Sequence, residues 1–287
     1  RHYWEGTDAR GTKRDITGNY SATHPGASLT ILDLDGFSVN GTAGITHPLL
    51  RSRQNNWFLN TDFSVKNADV QIIDLNLYRD KLRVWTIGTS YDFMDQWFAI
   101  NRFEANVSKG FTWWTDTGGR SHSRGNGETS FVKFSGKASR ISPISGPWSL
   151  FTAASGQYSF DPLLSAEEFA LGGAEFGSAY DSAELTGDHG LAGRVELQYS
   201  QSRDDSYFAS YQLYGFYDIG RVWNRDIISG TEPAHISLAS SGLGTRFNVT
   251  NAVTGGLEFA VPLTKPVSAN GADGEAPRIF FTLQYRY

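Results

Sequence analysis

Hydrophobic and polar residues alternate along most of this chain, and the last nine residues show the pattern most clearly. From position 279 the odd residues are Ile, Phe, Leu, Tyr and Tyr, whereas the even ones are Phe, Thr, Gln and Arg. Because successive strand side chains point to opposite faces, this segment predicts a β-strand with one apolar, aromatic face. Such a strand is typical of an outer-membrane barrel wall, with Tyr285 and Tyr287 at the lipid head groups. The alternative is the last strand of a soluble β-sandwich.

The same alternation recurs upstream and predicts about 12 strands. They lie near residues 13–21, 37–48, 55–67, 81–94, 99–113, 129–141, 147–159, 191–202, 207–223, 237–249, 253–263 and 278–287. Many run for ten to fourteen residues, whereas a soluble strand typically has ~5–6 residues and a tilted membrane span needs ~9–11. No segment has convincing helical periodicity. The strand lengths therefore favour a barrel over a sandwich.

Charged residues lie in mid-strand on the face opposite the apolar stripe. Arg102 and Glu104 alternate with apolar neighbours, as do Arg194 and Glu196, which a water-filled lumen allows. Aromatic residues of the apolar stripes concentrate near strand ends, as in the aromatic girdles of membrane barrels. We therefore predict an all-β fold, a transmembrane antiparallel β-barrel, with residues 1–287 forming a single domain.

The composition excludes several other classes of protein. The chain has 287 residues, no cysteine and 31 glycines, and its aromatic residues are 19 Phe, 13 Tyr and 8 Trp. No run approaches the ~18 apolar residues that a transmembrane helix needs. The net charge is −5, which does not indicate a basic nucleic-acid-binding surface, so no nucleic-acid partner is expected.

No enzymatic activity, metal or cofactor is predicted. The chain contains no Gly-x-Ser-x-Gly elbow, no His-Glu-x-x-His and no phosphate-binding glycine loop followed by lysine. Its six histidines are scattered without the spacing of metal ligands, and His189 is expected to lie in a turn. We interpret Glu167 and Glu168 as solvated carboxylates of a loop.

The longest interval between predicted strands is residues 160–190. It is partly apolar and punctuated by glycine, with Phe-Ala-Leu-Gly-Gly at 169–173 and Gly-Asp-His-Gly at 187–190. Long loops of this kind are often functional, and we predict that this one folds inward into the lumen. Residues 120–128, by contrast, predict a polar surface loop.

Four segments in and after this loop carry a family pattern. They are 164–173 (Leu-Ser-Ala-Glu-Glu-Phe-Ala-Leu-Gly-Gly), 176–181 (Phe-Gly-Ser-Ala-Tyr-Asp), 185–190 (Leu-Thr-Gly-Asp-His-Gly) and 196–199 (Glu-Leu-Gln-Tyr). The pattern resembles the barrel of the haemolysin secretion/activation proteins, the outer-membrane translocators of two-partner secretion in the Omp85 superfamily. The likeness extends from about residue 32 to residue 287.

The resemblance implies a 16-stranded barrel, preceded by soluble POTRA domains that capture an unfolded exoprotein in the periplasm. Five predicted strands follow the long loop, as in the family, but about seven precede it where the family has eleven. The resemblance therefore implies that roughly four strands, the POTRA domains and a signal peptide lie upstream of Arg1. If the chain is complete, it is an independent barrel of about 12 strands, an even and therefore allowed number.

In the family, the tip of the long loop carries a hydrophobic-Arg-Gly-aromatic tetrad, whose Arg pairs with an Asp on the second strand after the loop. Counting from the Gly-Gly pair at 172–173, the resemblance assigns this motif and its wall partners to Gly177, Ser178, Ala179, Tyr180, Asp218 and Gly220. Serine at the Arg position offers one neutral hydrogen bond instead of a bidentate, charge-assisted one. Either another basic side chain holds the loop, or the transport cycle is weakened or lost.

Simpler roles stay open for two of these residues. Asp218 is also interpretable as an ordinary hydrated carboxylate of the lumen, and Tyr180 as a packing residue without a gating role.

Three functions fit these observations. The first is a translocator that moves an unfolded exoprotein to the cell surface, and the alternatives are a non-translocating barrel that anchors a surface fibre or partner protein and a passive porin. The expected location is the bacterial outer membrane, with membrane lipids and lipopolysaccharide as neighbours. The barrel assembly machinery is a further expected partner, and the residues predicted as its C-terminal assembly signal are Phe281, Leu283, Tyr285 and Tyr287.

Overall fold

The structure is a computed structural model that describes residues 2–23, 34–72, 75–202, 210–225, 234–249, 252–264 and 277–286. Within them, 13 strands form one antiparallel sheet in which each strand pairs with the next. These strands are β1 (His2–Thr7), β2 (Lys13–Thr23), β3 (Leu34–Arg51), β4 (Asn55–Ile72), β5 (Leu75–Met94), β6 (Ile100–Phe111), β7 (Val132–Ser145), β8 (Trp148–Ser159), β11 (His189–Ser202), β12 (Ser210–Trp223), β13 (His235–Asn248), β14 (Val253–Pro262) and β15 (Arg278–Tyr285). Two further strands, β9 (Phe169–Leu171) and β10 (Leu185–Gly187), form a small hairpin between β8 and β11.

Each of the 12 predicted strands coincides with a strand of the large sheet, and the predicted all-β fold is confirmed. The prediction missed β1, so eight strands rather than seven precede the long loop. In β1 the neighbouring residues Tyr3 and Trp4 are both exposed, at 58% and 55%, so this short strand lacks a clean alternation. The prediction also missed β9 and β10, whose three residues each are too few to show a period.

The two faces of the sheet have opposite polarity. On β11, Val195 and Leu197 are each 46% exposed, whereas Glu196 is 2% and Gln198 5% exposed. We call the face with Glu196 and Gln198 the inner face and the apolar one the outer face. A soluble sandwich buries its apolar face, so the sandwich alternative is wrong. A lipid-facing barrel wall has this inverted arrangement.

Aromatic pairs mark both edges of the apolar band. At one end, Trp148 of β8 and Tyr199 of β11 meet edge to face, with ring centroids 5.1 Å apart. At the other end, Tyr158 contacts the rings of Phe160 at 5.1 Å and His189 at 4.6 Å. From position 148 to position 158 a strand rises about 33 Å. With a tilt of ~40° the vertical span becomes about 25 Å, the height of the apolar band of outer-membrane barrels.

The connections at the two ends of the sheet differ in length. Residues 8–12, 52–54, 95–99 and 146–147 form short turns at one end, whereas residues 112–131 and 160–188 form long connections at the other. Short turns face the periplasm and long loops face outward in bacterial barrels. Within the described ranges β1 and β15 are the edges of the sheet. No helix in the described part of the chain is long and apolar enough to cross a membrane.

Candidate functional site: the docked loop

The long loop, residues 160–188, lies on the inner face of β11 to β14. Four of its side chains, Leu171, Phe176, Ala179 and Tyr180, are at most 7% exposed. They form one apolar cluster with inner-face residues that include Ala192, Tyr214, Phe216, Val222, Leu238 and Ala260. The loop therefore covers a wall that would otherwise face the lumen.

Two glycines allow the loop to approach the wall closely. Gly177 has a φ of +86°, and a Cβ atom there would lie 2.8 Å from Cδ1 of Leu238 on β13. On the wall, a Cβ at Gly220 would lie 2.7 Å from Cδ2 of Leu171 in the loop. Any larger residue at either position would push the loop and the wall apart.

Ser178 and Asp218 are in direct contact, and Arg194 joins them. The backbone N–H of Ser178 donates to Oδ2 of Asp218 at 3.3 Å. Nη1 of Arg194, on β11, donates to Oγ of Ser178 at 2.6 Å and lies 3.4 Å from Oδ2 of Asp218. Ser178 and Asp218 are fully buried and Arg194 is 5% exposed. Asp218 is therefore not the hydrated carboxylate of the simpler interpretation.

The next two residues of the predicted tetrad are held by β13. The N–H of Ala179 donates to Oγ of Ser240 at 3.4 Å, and the hydroxyl of Ser240 donates in turn to Oδ1 of Asp218. The Tyr180 hydroxyl donates to the carbonyl of Ala239 at 3.1 Å. The loop tip thus donates hydrogen bonds from its backbone N–H groups and from the Tyr180 hydroxyl to oxygen atoms of the wall.

A network of paired charges surrounds this contact. Arg194 donates from Nε to Glu196 at 2.8 Å and from Nη2 to Glu258 at 3.1 Å, and its guanidinium lies 4.0 Å from the ring centroid of Phe216. Arg246 binds the other side of Glu196, with an Nη1–Oε2 distance of 3.0 Å. Removing one partner of a buried ion pair typically costs about 3–5 kcal/mol, so these charges hold each other in place.

The base of the loop is fixed by a second buried carboxylate, Asp188. Its Oδ1 accepts hydrogen bonds from Nη1 of Arg124 at 2.7 Å and from the N–H of Leu163 at 2.6 Å. Its Oδ2 accepts from the N–H of Arg225 at 2.7 Å. Asp188 is fully buried, and these contacts join the two ends of the loop to the segment that follows β12 and to residues 112–131.

Glu167 is buried rather than solvated, so the interpretation of the 167–168 pair is wrong. Its carboxylate lies 2.7 Å from Nζ of Lys66 on β4 and 2.9 Å from Nζ of Lys133 on β7. Burial by itself raises the pKa of Glu167, but the two ammonium groups outweigh it and lower the pKa below its ordinary value. The side chain of Glu168 likewise is 6% exposed and lies 3.4 Å from Arg124.

Residues 120–128 form an irregular polar loop, as predicted, but this loop is packed against the wall, and Arg124 within it is buried. The loop is part of a longer connection, residues 112–131. They run along β5 where it extends beyond β6, and the N–H of Arg79 donates to the carbonyl of Ser121 at 2.8 Å. Arg120 reaches Asp69 at 3.0 Å, and the N–H of Ser123 donates to Asp80 at 3.0 Å. Polar groups of this segment therefore bind carboxylates of the strands. The composition of the segment alone did not indicate these contacts.

A small apolar cluster joins this segment to the long loop. Phe131, Leu163 and Leu164 are fully buried together with Leu82 and Val84 of β5. We call residues 112–131 the second loop.

Other predicted residues lie away from the docked tip. His189 begins β11 rather than lying in a turn, and its Nδ1 accepts a hydrogen bond from the N–H of Ser159 at 3.2 Å. Phe281, Leu283 and Tyr285 of β15 are 65%, 61% and 71% exposed, and Tyr287 lies outside the described residues. In the part of the chain that the structure describes, no group of three or more His, Cys, Asp or Glu residues is arranged to hold a metal ion.

Sequence reasoning did not assign Arg194, Ser240, Glu258 or Arg124 to the site. The alternation placed Arg194 and Glu196 on the polar face, which was a usable signal. Their partners come from β12, β13 and β14, and the pairing of distant strands is not visible in a local pattern.

Comparison with known families gives a match over most of the chain. The family model described as haemolysin secretion/activation protein ShlB/FhaC/HecB matches residues 14–247. A search among curated proteins finds no match.

Three solved structures are similar in fold. CdiB from Escherichia coli is 19% identical with a TM-score of 0.71, and the match covers 95% of this chain and 49% of that one. CdiB from Acinetobacter baumannii is 18% identical with a TM-score of 0.69, covering 96% and 47%. BamA from Haemophilus ducreyi lacking POTRA domains 1–3 is 11% identical with a TM-score of 0.66, covering 98% and 61%. The chain thus spans about half the length of the CdiB chains it matches.

Proposed function

The chain belongs to the haemolysin secretion/activation protein family ShlB/FhaC/HecB, and we propose that it forms the barrel of a two-partner secretion translocator. It is an integral β-barrel protein of the bacterial outer membrane, within the Omp85 superfamily. In this proposal it moves an unfolded exoprotein to the cell surface, and the long loop gates the path.

The observation that carries the proposal is the docked loop. Its apolar side chains and the tetrad residues from Gly177 to Tyr180 are packed on the inner face, and the polar contacts to Asp218 and Ser240 hold them there. A permanently open pore would not require a buried binding site on its wall for the tip of a loop. A translocator does need one, because the path must be closed when no exoprotein passes.

The space beside the loop suits an extended polypeptide. A cavity of about 700 Å³ lies against the inner face, and its lining includes Arg102, Glu104, Lys137, Glu175, Arg246 and Glu258. Charges of both signs and hydroxyl groups can exchange hydrogen bonds with a passing backbone without strong preference for one sequence. We propose that the exoprotein passes along this space as an extended, unfolded chain.

Replacement of Asp218 by Ala tests the gating. We expect export of the exoprotein to fall severalfold while the barrel still assembles, because the loop loses its wall contact and the closed state is disturbed. Export is measured as exoprotein in the medium, and assembly as the shift in gel mobility on heating. The control is Asp92→Ala, which removes another inner-face carboxylate, one that binds Arg102 at 2.8 Å rather than the loop. Unchanged export in Asp218→Ala would contradict the gating.

A second candidate is a barrel that anchors a surface fibre or partner protein without translocating it. The serine at position 178, where the family has arginine, favours this alternative. It predicts a stable partner in one-to-one ratio after gentle detergent extraction. A passive porin instead predicts steady conductance in planar bilayers, whereas a docked loop predicts brief, irregular openings.

We further propose that β15 carries the signal for the barrel assembly machinery. Phe281, Leu283 and Tyr285 project from the outer face, where a partner can bind them before lipid does. In the assembled state the same side chains face membrane lipid or lipopolysaccharide.

A further inference from the structure

The cation at the docked loop tip belongs to the barrel wall and not to the loop. We propose that Arg194 is the positioning residue that holds the loop closed, in place of the arginine that the family carries at the position of Ser178. This inference rests on the proposed gating and identifies the side chain that keeps the loop docked on the wall.

The contacts of Arg194 connect the loop to the wall. Its Nη1 atom lies between the hydroxyl of Ser178, at 2.6 Å, and Oδ2 of Asp218, at 3.4 Å. The N–H of Ser178 reaches the same Oδ2 atom from the other side, at 3.3 Å. All three residues are at most 5% exposed. The hydrogen bond from the guanidinium to Ser178 is charge-assisted, and such bonds are about twice as strong as neutral ones.

The space explains why position 178 carries a small side chain. Because Arg194 already occupies the volume between the loop and Asp218, a long side chain at position 178 would meet its guanidinium. Serine is short enough to fit and keeps a hydroxyl to accept the hydrogen bond. An arginine at position 178 and an arginine at position 194 would therefore occupy the same space, and only one of them fits.

This arrangement changes what happens when the loop leaves the wall. Residues 176–180 are all uncharged, so the departing tip carries no ionic group. Arg194 keeps Glu196 at 2.8 Å, Glu258 at 3.1 Å and its stacking on Phe216. Glu175 and Asp181, which flank the tip, pair with Lys137 and Arg278 of the wall, but these four side chains are 27–62% exposed. Release of the tip therefore leaves no fully buried charge unpaired, which makes opening easier than it would be for a loop that must pull its own guanidinium away from Asp218.

A labelling experiment on the assembled barrel tests the inference. The chain has no cysteine, so Ala179→Cys introduces a single thiol at a fully buried position of the loop tip. Its rate of reaction with a maleimide reports how often the tip leaves the wall. We expect Arg194→Ser to raise the rate about tenfold or more, since a charge-assisted hydrogen bond is lost. Adding Ser178→Arg to Arg194→Ser should bring the rate back toward the parent value.

Two further variants keep the test decisive. Arg246→Ser removes a guanidinium that binds Glu196 without a contact to the loop, so the labelling rate should change by less than about twofold. If Arg194→Ser does not assemble, Ser178→Ala removes the same hydrogen bond from the loop side and should also speed labelling.

The inference is overturned if assembled Arg194→Ser or Ser178→Ala labels at the parent rate. It is equally overturned if Arg246→Ser has the same effect as Arg194→Ser, or if Ser178→Arg fails to slow the double variant. Export measured on the same variants is a separate readout. Faster labelling with unchanged export would support Arg194 as the holding residue while refuting the proposed gating.

Discussion

At Gly177 the backbone has a φ of +86°, and a Cβ would lie 2.8 Å from Leu238. The resemblance predicts a hydrophobic residue at this position, but in this chain only glycine satisfies both the conformation and the space. The neighbouring Phe176 instead supplies a buried apolar side chain to the docking cluster. Single residues thus decide how closely the loop approaches the wall.

Gly177→Ala tests how closely the loop must approach the wall. We expect it to weaken loop docking by about 2–4 kcal/mol, because strain and steric overlap add. Gly118→Ala is the control, since Gly118 has a φ of +67° but no atom within 4 Å of a Cβ, and there we expect only about 1 kcal/mol of strain. Chymotrypsin cleavage at Phe176 and Tyr180 of the assembled barrel measures docking. Gly118→Ala should leave the cleavage rate unchanged, and cleavage of Gly177→Ala at that same rate would show that neither the strain nor the overlap with Leu238 affects docking.

Two loops, and not one, cover the inner face at the end with the long connections. The second loop follows β5, and Arg124 from it reaches Asp188 at the base of the long loop. Arg124 also donates to the carbonyls of Leu163 and Arg225, each at 3.3 Å. At the scale of elements, the two loops and the segment that follows β12 therefore share one buried guanidinium.

Removal of Arg124 should loosen both loops together. In Arg124→Ala the buried Asp188 loses its charged partner, a change that typically costs about 3–5 kcal/mol. We expect faster hydrogen exchange in residues 112–131 and also in residues 160–188. Arg120→Ala is the control, because Arg120 belongs to the second loop but binds Asp69 on β4. It should speed exchange in residues 112–131 alone, and a similar effect of both variants on residues 160–188 would contradict the coupling.

The whole molecule is organised by an inverted polarity and two aromatic girdles. Val195 lies four positions from the girdle residue Tyr199, whereas Leu197 lies only two positions from it. Both side chains are 46% exposed on the outer face. The membrane therefore surrounds Val195 near its midplane and Leu197 nearer to a head-group region.

Arginine substitutions on the outer face should reveal this depth. Val195→Arg is expected to cost about 2–4 kcal/mol of folding free energy, and Leu197→Arg less, since the cost falls to ~0–1 kcal/mol near the interfaces. Gln198→Arg is the inner-face control and should cost little, because Glu196 lies beside that position. Denaturant unfolding in lipid vesicles measures the three values. Equal costs at all three positions would mean that the inner and outer faces are wrongly assigned.

The fold was largely predictable because strand facing is a local property. A period of two residues places Glu196 inside and Leu197 outside whatever strands lie beside them. The same reasoning failed at β1, where Tyr3 and Trp4 are both exposed, and for three-residue strands, which are too short to show a period. The strand count before the loop was therefore one too low.

By itself, the sequence determined the all-β class, the position of nearly every long strand and the family, because each depends on residues close together in the chain. Only the tertiary structure decided which groups meet at the loop tip. Ser178, Arg194, Asp218, Ser240 and Glu258 come from the loop and from four different strands. The same holds for two other buried charges. Glu167 pairs with Lys66, 101 positions away in the chain, and Arg124 pairs with Asp188, 64 positions away. Such contacts join residues that lie far apart in the chain, so a pattern read over a few neighbouring residues does not show them.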